Sequence, residues 1–246
     1  MTSNKLKLNQ DKTEFFIASS PHHRIKVQHL SLVIGDTEIK QSDSIRNLGV
    51  TFDRHMTMSD HITQLSRSIN WQIRNIYRFR RLIDYDTCNH IVRTLLLQKL
   101  DYCNALFNGI TKADLQRLQK LQNKCARLIC QQPRFCHATP LLDQLHWLPV
   151  SQRIAFKTLV YVFKSLHGLC PQYIKECLTV RFRPDAMLTR SSESVCLEVP
   201  PSKKNAGDRA LSIAAAQLWN KLPHTIRNAA TIHSFRSQLK THLYPH

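Results

Sequence analysis

Arg67, Arg74, Arg78 and Arg81 recur at i, i+7, i+11 and i+14, and on a helix turning about 100° per residue they form one row. That row lies roughly 140° around the helix from Ile62, Leu65, Ile69, Ile73 and Ile76, so a packed face and a basic face are separate. Lys112, Gln116, Lys120, Lys124 and Arg127 make a second row. Cations repeated along a helix meet successive phosphates, which is the chemistry of nucleic-acid backbone binding. A single basic row is ordinarily a solvated helix face. Residues 54 to 134, however, hold 14 lysines and arginines against five aspartates and no glutamate, which favours a bound polyanion. Trp71 and Tyr77 flank the first row, in place to stack on bases, although Trp71 is expected instead to seal the helix packing.

Other side chains with reactive chemistry are arranged less favourably. Cys125, Cys130, Cys136 and His137 form the one cysteine and histidine cluster, but their spacing lacks the two tight pairs that converge on tetrahedral zinc. Cys125 instead joins Leu121, Leu128 and Ile129 on an apolar helical stripe, where a thiol packs as a small hydrophobe. No metal site is expected. The chain has no G-x-S-x-G, no phosphate-cradling G-x-x-x-x-G-K-[ST] and no H-E-x-x-H. It also lacks the His-x-Asp pair needed by iron dioxygenases.

Composition sets wider bounds. A formal charge of +18 and a pI near 9.9 point to an anionic partner, most simply nucleic acid. No segment approaches the 18 or so uncharged apolar residues of a membrane span. The first fifteen residues lack the apolar core of a secretory leader, so a cytoplasmic or nuclear location and free thiols at the eight cysteines are expected.

These groups must be positioned by a mainly α fold with a small N-terminal β portion. Residues 1–53 show extended segments at KTEFFIAS, VQHLSLVIG and IRNLGVTFD, with turns at Ser19 to His23 and Gln41 to Ser44. From residue 57 the period becomes helical, behind Thr57 and Asp60 in a capping-box arrangement. A second helix is expected from Tyr85 to Phe107, and a third opening at Thr111 with Asp114 three residues on. Residues 54–134 thus read as a three-helix bundle. Residues 135–246 read as shorter helices near 139–146, 151–167, 171–178, 207–221 and 231–243. Thr139 is expected to be an N-cap before Pro140, and residues 179–206 an exposed connector with a short strand at 195–199. Trp147, Trp219 and Phe235 are expected to anchor packing.

Three blocks, DYCNALFNGI at 101–110, LHWLPVSQRIAFK at 145–157 with HGLCP after it, and GDRALSIAAAQLWNKLP at 207–223, match no catalytic motif. Together they resemble the tail of a reverse transcriptase from a non-LTR retrotransposon of the jockey, CR1 and L2 kind, over nearly the whole chain. The resemblance implies a palm remnant at 1–53, a thumb-like bundle at 54–134 and a C-terminal helical region beyond it. Lys12 in LNQDKTEF matches the lysine that follows the family's aspartate pair, and Asn47, Leu48, Gly49 and Val50 match the hairpin supporting the primer end. From the residues alone, Lys12 is a surface lysine and Gly49 a strand glycine marking a bulge.

Such polymerases hold two magnesium ions with paired aspartates, and no adjacent Asp-Asp occurs in this chain. The family's aspartate motifs lie upstream of the match, so the chain is expected to lack polymerase activity alone and to use no cofactor. Its expected capacity is weak, sequence-independent binding of an RNA/DNA duplex, with Arg67, Arg74, Arg78, Arg81, Lys112, Lys120, Lys124 and Arg127 as contacts. A helical module binding a protein partner fits the same surface, as does a translated relic without selected function.

Overall fold

The computed structural model describes residues 9, 12–19, 30–35, 37–181, 195–202 and 205–244. They form a mainly helical protein with a small N-terminal β portion. The chain divides into compact units at 1–65 and 66–246, whereas sequence spacing places boundaries after residues 53 and 134.

In the first unit, β1 (Phe15–Phe16), β2 (Ser31–Ile34) and β3 (Thr37–Ser42) pair in the order β1-β3-β2. Gln41 and Ser42, expected in a turn, instead run parallel to Phe15 and Phe16. Strand alternation that buries Ile39 carries the ladder past them, and the chain passes to the next strand at Asp43. Residues 20–23 and 27–29, part of the expected first turn and second strand, lie outside the described residues.

β4 (Ser44–Asn47) and β5 (Val50–Asp53) form a hairpin closed by the Asn47 and Val50 pair. Leu48 and Gly49 are its two-residue turn, with φ of 46° and 84°. Positive φ at both centres matches the right-handed twist of the strands, so Gly49 serves a tight turn rather than a bulge. Asp53 then receives the backbone N–H groups of His55 and Thr57 on Oδ1 and of Met58 on Oδ2, just before α1 (Ser59–Phe79). Thr57 accepts from Ser59 N at 3.3 Å, so the organising carboxylate at this helix start is Asp53 and not the foreseen Asp60. The buried ring of His61 accepts from Thr51 N at 3.3 Å, and burial together with the nearby Arg46 charge holds its pKa below the ordinary value.

The second unit takes in the rest of α1 and every later helix. The expected helix from Tyr85 to Phe107 is interrupted. It runs as α2 (Tyr85–Val92), a π turn at Arg93–Leu97 and α3 (Gln98–Asp101), then ends where Cys103 takes φ of 52°. After a 3₁₀ turn, α4 (Lys112–Ile129) opens as foreseen, with Thr111 Oγ1 accepting from Asp114 N at 3.1 Å.

The later helices are α5 (Thr139–Gln144), α6 (Val150–Leu166), α7 (Gln172–Lys175), α8 (Asn205–Asp208), α9 (Leu211–Asn220), α10 (His224–Arg227) and α11 (Ile232–Leu243). Thr139 is the first residue of α5 rather than its cap, and no side chain caps that helix. Of the connector, residues 182–194 and 203–204 lie outside the described residues. In place of a strand at 195–199, Leu197 makes one antiparallel bridge with Val180.

The core of this unit joins α6, α9 and α11. Phe163 stacks on Phe235 with centroids 4.4 Å apart, and Trp219 lies 5.8 Å from the same ring. Trp147, Trp219 and Phe235 are all buried, as anchors of packing. Fully burying a side chain of this size contributes about 3 kcal/mol. Residues 135–246 do not separate from the preceding helices because α4 reaches into them. The fully buried Gln122 donates to Leu148 O at 2.8 Å, and Gln119 accepts from Val150 N at 2.8 Å, holding the chain on both sides of Pro149.

The three blocks without a catalytic motif meet in this packing. Arg153 pairs with Asp101, and Asn108 donates to Thr158 at 2.7 Å, tying LHWLPVSQRIAFK and the helix it opens to DYCNALFNGI. Gly109 carries φ of 69°, and a Cβ there would lie 2.5 Å from Cγ of Arg209 in the GDRAL block. All three blocks are joints of one structure.

Candidate nucleic-acid interface

The candidate interface lies in the 66–246 unit. Arg67, Arg74, Arg78 and Arg81 are all exposed, while Ile69 and Ile76 are buried on the opposite side of the same helix. None of the four arginines is ion-paired among the described residues. Lys112, Lys120 and Lys124 of α4 are likewise exposed and without an ion pair among the described residues.

One contact brings the two rows together. Asn70 sits three residues after Arg67 and four before Arg74, within the arginine row, and its Oδ1 accepts from Lys124 Nζ at 2.8 Å. An α4 cation is thereby held against the row of α1 that carries the arginines.

Two expectations about side chains change. Trp71, expected to seal the packing, is 63% exposed, and Tyr77 is 73% exposed. At i+4 from Arg67 and i−3 from Arg74, Trp71 lies in the row itself, away from the buried isoleucines, which is why the core does not reach it. Arg127 turns away from the row, and its Nε and Nη2 donate to Cys136 O at 2.9 and 2.8 Å, pinning the loop after α4. The basic row of α4 is therefore carried by Lys112, Lys120 and Lys124.

Spacing of the exposed cations does not single out Arg80. It follows Ile76 by four residues and so falls on the apolar stripe, a signal visible in the sequence. Buried there, it donates from Nε to Leu128 O at 2.8 Å, from Nη2 to Ile129 O at 2.6 Å and from Nη1 to Ile83 O at 2.8 Å. A guanidinium on the last carbonyls of α4 satisfies acceptors without a helical partner and opposes the negative end of the helix dipole. Arg80, in the 3₁₀ turn Arg80–Leu82 that follows α1, thus ties the end of α1 to the end of α4.

No protein-family model, curated protein or solved structure matches the chain.

The remaining candidates carry less. Lys12 is exposed, and its backbone N–H caps back to Asn9. Asn47, Leu48, Gly49 and Val50 form the hairpin turn described above, with Leu48 84% exposed at its tip. Cys125 is buried in α4, where desolvation pushes its thiol up to about 12 and keeps it protonated. Among the described residues, no three of His, Cys, Asp and Glu converge as a metal-holding group. Among the described residues, no helix is long and apolar enough to cross a membrane.

Proposed function

We propose that the joined faces of α1 and α4 bind the backbone of a nucleic-acid duplex, and that the chain is the thumb and tail portion of a reverse transcriptase like those of non-LTR retrotransposons. The observation that carries this is the Lys124 to Asn70 contact, which merges two unpaired cation rows into one surface bearing an exposed tryptophan. The three blocks DYCNALFNGI, LHWLPVSQRIAFK and GDRALSIAAAQLWNKLP support the family assignment. Binding is to phosphates, so it is independent of sequence. Nucleotidyl transfer is not ascribed to this chain, since two-metal chemistry requires paired carboxylates and no adjacent aspartates occur in it.

The test replaces Arg74 and Arg78 by alanine and measures affinity for a B-form DNA duplex against salt. Each phosphate contact contributes about 0.9 to the slope of log affinity against log salt, so the double variant should flatten it by about 2 and weaken all sequences alike. An unchanged affinity and slope would remove the duplex-binding role.

A further inference from the structure

A cleft of about 1080 Å³ lies in the 66–246 unit among α2, the π turn after it, the Leu145–Leu148 corner, α6 and α11. It shares no residue with the α1 and α4 rows. Six lysines and arginines line it, and apart from Arg153 they are Arg93 from the π turn, Lys157 and Lys164 from α6, and Arg236 and Lys240 from α11. None of the five has an ion pair among the described residues. The cleft has two lining carboxylates, and one of them, Asp101, is already neutralised by Arg153 through Nε to Oδ1 at 2.8 Å and a second contact from Nη2 to Oδ2. That leaves Asp86 alone against the five.

We propose that this cleft holds a single-stranded nucleic acid by its phosphodiester backbone, as a second site separate from the duplex surface. Charge sets the class of ligand, and volume narrows it. A cleft of this size takes a few nucleotides of one strand, whereas a duplex carries its two phosphate strands on either side of a groove about 12 Å wide in B-form DNA and would present only one of them to it. The floor argues against a protein partner. Leu97, Trp147 and Leu148 are each at least 94% buried and spent on the protein's own packing, which leaves the half-buried Leu145, Phe156 and Val160 interspersed with cations rather than the continuous dry centre on which protein interfaces depend. What the cleft offers is a basic track with the part-buried Phe156 in its lining, which suits phosphates.

The local backbone fits this use. The π turn inserts an extra residue per turn into a helix that otherwise runs from Tyr85 to Asp101, and Arg93, Thr94 and Leu97 of that turn all face the cleft. Such insertions recur where a helix must present side chains out of its regular register. On α11, Arg236 and Lys240 stand one turn apart and exposed, roughly 100° around the helix from the buried Phe235 and Leu239.

The experiment compares the full chain, a cleft variant (Arg236→Gln with Lys240→Gln) and a row variant (Arg74→Ala with Arg78→Ala) for binding to oligo(dT), to a DNA duplex and to a polyglutamate peptide. The cleft variant should lose about tenfold or more in oligo(dT) affinity and flatten its salt slope by about 1.4, at roughly 0.7 per contact on a single strand. Its duplex affinity should not change, and far-ultraviolet circular dichroism and melting temperature confirm that it is folded. Undiminished oligo(dT) binding by the folded cleft variant overturns the proposal. Polyglutamate binding that the variant loses while oligo(dT) binding persists also overturns it, assigning the cleft to an acidic protein. The duplex arm reads the other surface independently: a row variant that keeps duplex affinity ends that reading and leaves the cleft result standing.

Discussion

A single arginine connects the packing of this protein to its proposed interface. Arg80 is one of a run with Arg78 and Arg81, yet only Arg80 faces inward, and each of its three guanidinium nitrogens donates to a backbone carbonyl. Removing it leaves Ile129 O without its donor and Leu128 O with only the weak Cys88 thiol contact, at a cost typical of a broken buried charged hydrogen bond. Arg80→Ala should therefore lower the unfolding free energy by about 3 kcal/mol in urea titration. Arg80→Lys should recover little of it, because an ammonium lacks the planar fork that spans Leu128 and Ile129. Arg81→Ala, on the exposed side, should change stability by less than about 0.5 kcal/mol. Equal effects at positions 80 and 81 would show that burial is not what separates them. The residue types here are legible in the sequence, but the roles of adjacent arginines separate only when each is placed against the apolar stripe.

At the scale of elements, helices are legible wherever local chemistry sets them. α4 begins where Thr111 and Asp114 put it, since an N-cap hydroxyl satisfies a backbone donor that any helix start leaves open. Thr111→Ala should thus lower stability by about 1 kcal/mol and Thr111→Ser by much less, as read by denaturant midpoint. An alanine variant as stable as the original would mean that Asp114 and packing hold the helix start alone. The same logic fails at Thr139, where Pro140 is the second residue of the helix and the hydroxyl has no cap hydrogen bond. What the sequence hides are features set by distant partners: the π turn that breaks Tyr85 to Phe107, and the clamp in which Asn220 takes both the N–H and the carbonyl of Leu197 at 2.9 and 2.8 Å. No local period encodes either. The cleft is invisible for the same reason, since Arg93, Lys164 and Arg236 come from separate segments and their rows are too short to stand out.

For the whole molecule, the formal charge of +18 has two consequences that respond oppositely to salt. Nearly all of that excess belongs to the 66–246 unit, since residues 1–65 hold eight lysines and arginines against seven acids; without a ligand, like charges repel within the larger unit, and screening relieves that repulsion. The melting temperature of the free protein should therefore rise between about 50 and 200 mM salt, a range over which the screening length falls substantially. With duplex present at about 100 times its dissociation constant, binding stabilises the folded state by about 2.7 kcal/mol and raises the melting temperature further. That increment should shrink with salt as affinity falls, because released counterions drive the binding. Plotted against salt, the curves with and without duplex should converge, the lower one rising and the gap closing. Oligo(dT) should give its own increment, retained in the row variant and lost in the cleft variant. A duplex increment that does not shrink with salt would point to contacts other than phosphates and would count against the two cation rows as the binding surface.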